Sequence, residues 1–172
     1  MIFVTVGTHE QKFDRLINEI FSLINKKIIK ENVFIQYGYS SPIENNDLVH
    51  GEKLLSQKKL TQYSLDCNIP ITHGGPASFM FFLKENKVPI VVPRQEKYEE
   101  HINNHQLDFC KKIEKEGFPI IVIEDIKKLE DAIINYEKLS YEYLNDNNSK
   151  FGNTKAFNQK LYKEINKMIE GL

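Results

Sequence analysis

Long apolar runs are absent from this sequence, and no window approaches the roughly 20 consecutive apolar residues that a membrane-spanning helix requires. The N-terminal stretch Met1 to Gly7 has no basic region ahead of it and reaches His9, Glu10 and Gln11 too soon for a signal peptide. Cysteine is scarce. Cys67 and Cys110 lie far apart with apolar side chains close by, which suits reduced, buried thiols and implies no disulfide framework. Neither sign of charge dominates: 23 Lys and Arg face 24 Asp and Glu, a formal net charge of -1. Without a basic excess, nucleic acid is not an expected partner and an anionic membrane is not attracted by the whole molecule. Internal repeats are missing too. These absences lead to the expectation of a cytoplasmic protein whose membrane association, if any, comes through a partner or a surface helix.

What is present is an alternation. Short β-branched runs recur at Ile2 to Val6, Val33 to Gln36, Ile69 to Thr72, Pro89 to Val92 and Pro119 to Ile123, each reading as a strand buried on both faces. Helical patterns separate them, beginning with Phe13, Leu16, Ile17, Ile20, Phe21 and Ile24 on one face. Such alternation predicts βαβ units and an α/β fold, a doubly wound Rossmann-like parallel sheet. Tyr37 to Asn46 reads as a loop, Asp47 to Leu55 as room for a short extra strand, and Ser56 to Asp66 as a helix. From about Ile126 the chain is expected to be helical, with a break near Asn145 to Asn153 and a last stripe of Phe157, Leu161, Ile165, Met168 and Ile169. At 172 residues the expectation is a single domain over 1–172.

In an open parallel sheet, ligands bind beyond the carboxyl ends of the strands. The segments that follow each run therefore carry the functional signal. Gly7, Thr8 and His9 follow the first, where a glycine permits close backbone approach and a helix N-terminus offers free N–H groups. The strongest local signal is His73-Gly74-Gly75-Pro76-Ala77-Ser78, directly before a helical run. Paired glycines, a proline suited to the first helical turn, exposed amides and a serine hydroxyl form an anion site that matches a diphosphate. The loop is neither G-x-G-x-x-G nor a Walker sequence. Arg94 and Gln95 follow another strand, the first placed to pair with phosphate and the second with sugar hydroxyls. Glu100, His101, Asn104 and Gln106 lie at the expected start of the next helix. His101 and His105, at i and i+4, have zinc spacing but no third ligand, so no metal is expected. His9 and His73 are the candidate proton-transfer groups, although a histidine after a strand also serves simply to hold the glycine turn.

Taken in order, these segments resemble the C-terminal, sugar-nucleotide-binding half of MurG-like transferases, glycosyltransferase family 28. They are similar also to short bacterial capsule and exopolysaccharide subunits that carry F-V-T-V-G-T-H-E-Q (here Phe3 to Gln11), I-T-H-G-G-P (Ile71 to Pro76), I-V-V-P-R (Ile90 to Arg94) and E-H-I-N-N-H-Q (Glu100 to Gln106). The likeness covers Met1 to about Ile123. The catalytic subunit of the two-component GlcNAc transferase of dolichol-linked oligosaccharide assembly looks like a more distant relative. The resemblance implies one half of a GT-B fold and a split enzyme. This chain would bind a UDP-sugar, UDP-galactose for the short capsule type, while a separate membrane-anchored subunit binds a lipid-linked saccharide acceptor. It further implies inverting, metal-independent β-1,4 transfer at the inner membrane face, with no cofactor beyond the donor.

One position departs from that pattern. MurG-like relatives use a glutamate early in the helix after the glycine turn to grip the ribose, and Phe81 stands at about that position, so either the ribose is gripped from elsewhere, for instance by Glu100 or Gln95, or donor binding is weakened. The run Phe79-Met80-Phe81-Phe82 also exceeds what one buried helix face needs, which points to an apolar interface. Two other readings remain open at the level of sequence. The chain is a non-catalytic enhancer that stabilises a partner transferase, or a free-standing nucleotide-binding protein of flavodoxin-like shape.

Overall fold

In the computed structural model, which describes residues 1–145, the strands are β1 (Ile2–Thr5), β2 (Val33–Gln36), β3 (Val49–Glu52), β4 (Ile69–His73), β5 (Ile90–Val92) and β6 (Ile121–Val122). All five neighbouring pairs are parallel, in the order β3-β2-β1-β4-β5-β6. This is the Rossmann-type order, in which the chain builds outward on one side of β1 and then crosses over to begin again beside it at β4. The point where direction reverses lies between the carboxyl ends of β1 and β4, and there the two strand-end motifs meet.

Alternation along the strands divides the core in two. Ile2 and Val4, with Val33, Ile35, Ile71, Ile90 and Val92, face α1 (Asp14–Asn25), α5 (Leu129–Ile134) and α6 (Tyr136–Asn145). Helix α1 buries Leu16, Ile17, Ile20 and Leu23 on a single stripe, each contributing about 1.5–3 kcal/mol. The opposite face carries Phe3, Phe34 and Val91 beneath α2 (Gln57–Asp66), α3 (Pro76–Lys84) and α4 (His105–Lys115). Ser56 caps α2 by accepting from the Lys59 amide.

Several expectations are corrected. Strands β5 and β6 are shorter than expected, spanning only Ile90–Val92 and Ile121–Val122. Helix α4 begins at His105, so His101 and His105 do not share a helix face. Residues Phe79, Met80 and Phe82 are buried, the first two against α4 and Phe82 against Phe3 and Phe34, because α3 lies between two neighbours. Only Phe81 of that run is half-exposed, and the other three are taken up by the core of the domain itself. The expected chain break and the terminal stripe from Phe157 lie outside the described residues. Among the described residues, no helix is long and apolar enough to cross a membrane.

Candidate functional site

Polar residues interrupt the apolar sheet at one level. Thr5 is in register with Gln36 on one side and Thr72 on the other, two residues beyond the apolar row of Phe3, Phe34 and Pro70 that shares its face. The Thr5 hydroxyl donates to Gln36 Oε1 at 2.6 Å. Burying such side chains costs free energy unless they are paired, so a polar row in a sheet centre points to the floor of a site. Above it opens a cavity of about 440 Å³. Thr5, Gln36, Gly7 and Thr8 line it from the β1 and β2 side, and His73, Gly75, Pro76, Ala77, Ser78, Phe81 and Phe82 from β4 and α3. Leu55, Gln57 and Leu60 close it from the start of α2.

Helix α3 presents its N-terminus to this cavity. Gly75 is the N-cap and has no side chain to satisfy the first amides, while Pro76 at the first helical position has no N–H. The Ser78 amide turns back to the Gly75 carbonyl at 3.0 Å, which leaves Ala77 to offer its amide at the cavity wall. An uncapped helix N-terminus with a nearby hydroxyl suits an anion.

Two of the glycines serve the imidazole of His73. A Cβ on Gly7 would fall 2.5 Å from His73 Cε1, and one on Gly75 would fall 2.4 Å from His73 Nε2. Gly7 also holds φ at +77°, a conformation that favours glycine. The ring is thus clamped between the β1 and β4 turns, with Ser78 Oγ 3.4 Å from Nε2. Burial, reinforced by the Arg94 charge, lowers its pKa from 6.5 to about 3. His73 is therefore neutral at physiological pH and a weak base. Gly74 serves packing instead, because its missing Cβ lets Pro93, Cys110 and Gln106 close in.

The remaining predicted site residues form a second network that faces inward. Arg94 is wholly buried, and its guanidinium donates to the carbonyls of Val6, Gln11, Lys12 and Glu100 at 2.7–3.2 Å. Its expected role as a phosphate clamp is corrected: those donors hold the β1–α1 loop against the β5–α4 loop. Burial lowers its pKa to about 10, so it remains charged at neutral pH. Glu100 accepts from Nε and one terminal nitrogen of Arg15, each at 2.8 Å, and from the Gln95 amide at 3.1 Å. Gln95 in turn donates to the Glu124 carbonyl. With its carboxylate occupied, Glu100 is not free to grip a ribose, and buried Gln95 is not free to meet a sugar. Asn104 bonds to Glu96, and Gln106 accepts from the Arg94 amide. The His9 and His101 rings lie close together, tilted at 38° with their centres 5.0 Å apart, outside the cavity lining. The His9 pKa is lowered by partial burial and then by the Arg94 and His101 charges.

A family model, the glycosyltransferase family 28 C-terminal domain, matches residues 1–165. The chain belongs to this family. No curated protein matches it. Family 28 membership makes the described sheet one half of a GT-B fold and the chain a donor-binding domain of glycosyltransferase type. The cavity between β1 and β4 then lies where a doubly wound sheet takes its ligand. The sequence does not single out Thr5, Gln36, Leu55, Gln57 or Leu60 as site residues, and it marks Phe82 as part of an apolar interface instead of the cavity wall. The first two are the polar last residues of otherwise apolar strands, a signal visible in the sequence. The α2 residues carry no local signal, since they reach the cavity only through the packing of α2 beside α3.

Proposed function

We propose that this family 28 domain is the donor-binding subunit of a two-component glycosyltransferase of capsule or exopolysaccharide biosynthesis. It transfers galactose in β-1,4 linkage from UDP-galactose to a lipid-linked saccharide. A separate, membrane-anchored subunit binds the acceptor and holds this chain at the cytoplasmic face of the inner membrane. The observation that carries this reading is the uncapped N-terminus of α3 opening on a cavity at the sheet's reversal point. The diphosphate binds there, against the Ala77 amide, the Ser78 hydroxyl and Thr8. As the acceptor oxygen bonds to the anomeric carbon, the bond to the diphosphate breaks and its electrons leave with the phosphate, where the helix N-terminus meets the growing charge.

The proton of the acceptor hydroxyl goes to a base on the partner. Support comes from the lining itself: none of the residues that line the cavity is Asp or Glu, and His73 binds a proton too weakly to act near neutral pH. The same lining favours a second reading, in which the chain is an enhancer that stabilises a partner transferase. Transfer from radiolabelled UDP-galactose to a lipid-linked glucose, with this chain, the membrane partner and both together, separates the two. Activity only with both is expected, and full activity from the partner alone would leave the enhancer. Ser78→Asp sharpens the test, because an acid in the first turn favours the helix but repels a diphosphate. It should keep the melting temperature and abolish transfer.

A further inference from the structure

We propose that Phe81 makes the donor pocket indifferent to the ribose hydroxyls, so that it accepts ribo- and 2′-deoxyribonucleoside diphosphates alike; this rests on the donor-site reading above. Ala77, Ser78 and Phe81 share one stripe of α3 and all line the cavity. Phe81 stands one helical turn from the first-turn amides, about 5.4 Å along the axis. With a diphosphate on those amides, the next group of the nucleotide, its pentose, lies against the Phe81 ring.

The surroundings offer that pentose no strong hydroxyl partner. In nucleotide-binding sheets the ribose diol is held by an Asp or Glu, since a carboxylate accepts from hydroxyls. Leu55, Leu60 and Phe82 join Phe81 in the wall, and the lining includes no carboxylate. The Thr5 hydroxyl and Gln36 Oε1 are committed to each other at the floor, which leaves Gln36 only the neutral donor of its amide and no acceptor comparable to a carboxylate. Gln57 is exposed at the start of α2, where water competes for it. Sites built to hydrogen-bond a hydroxyl reject the analogue that lacks it by about 10⁴-fold or more, whereas an apolar wall gives the hydroxyl nothing and removes it from water. The 2′-hydroxyl is therefore neutral or unfavourable here. Phe81 is the residue that sets the preference, and the pocket's donor class extends to deoxynucleotide sugars.

The test is calorimetric titration of the protein with UDP and, separately, with dUDP. The expected result is dUDP bound as tightly as UDP or more tightly. UDP bound more than about tenfold tighter than dUDP would overturn the inference while leaving the donor-site reading intact, since that ratio marks a site that reads the hydroxyl. Failure of both to bind would sink the donor-site reading and this inference with it. Phe81→Glu should create a preference for UDP, and Phe81→Leu, which keeps an apolar wall, should not. An unchanged UDP-to-dUDP ratio in folded Phe81→Glu would show that the pentose lies elsewhere and would also overturn the inference.

Discussion

Gly75→Ala isolates the contact that joins the two turns of the site. Gly75 has φ of -73°, where alanine is at ease, so in open space the change would stabilise the fold by about 0.4–1 kcal/mol through the unfolded chain. Space is not open. The new Cβ would lie 2.4 Å from His73 Nε2 and 3.0 Å from Cδ2, and the ring cannot retreat because Gly7 occupies its other side, with a would-be Cβ only 2.5 Å from Cε1. Overpacking of a closed site costs about 1–3 kcal/mol. The net expectation is a loss of up to about 2.6 kcal/mol, combining the two terms. Urea denaturation read by circular dichroism measures it, with the slope checked for constancy. The decisive comparison is the same change in a His73→Ala background, where the obstructing ring is gone and Gly75→Ala should be neutral or stabilising. A coupling of about 1–3 kcal/mol between the two positions is expected from contact. Equal cost in both backgrounds would refute the claim that His73 is what Gly75 accommodates.

Two more expectations concern the buried basic side chains. Because the folded-state pKa of His73, about 3, lies below its unfolded value of 6.5, its stabilising contribution is complete above pH 6.5 and is lost as pH falls toward 3. Wild type should therefore lose about 2 kcal/mol more than His73→Asn between pH 7 and pH 5, and parallel urea midpoints for the two proteins would refute this. Arg94→Met should cost about 3–5 kcal/mol, since it strands carbonyls on two loops and removes the charge that Glu100 faces. Unchanged thermal stability with weakened UDP binding would restore Arg94 to the phosphate site.

Motif reading found the β4–α3 turn because its chemistry is local. Gly75, Pro76, Ala77 and Ser78 are consecutive, and the end of a strand followed by a helix start fixes what each backbone N–H can do. It misassigned Arg94, Gln95 and Glu100 because a polar side chain after a strand looks the same whether it points to a ligand or into the protein. Phe81 was legible as an oddity, whereas its place in the cavity wall one turn from the α3 N-terminus was not.

The sequence by itself determined the alternation of strand and helix, the parallel sheet, and which turns stand at the carboxyl edge, since these depend on periodicity and on glycine and proline at short range. Tertiary structure alone decided which motif residues face the cavity. Arg94 meets the Val6 carbonyl from 88 residues away, and the Arg15 pairing with Glu100 spans 85. Partners so distant in the chain leave no local trace. Desolvation makes them satisfy one another once the β1 and β5 loops are packed together, and only the residues outside that network remain free for a ligand.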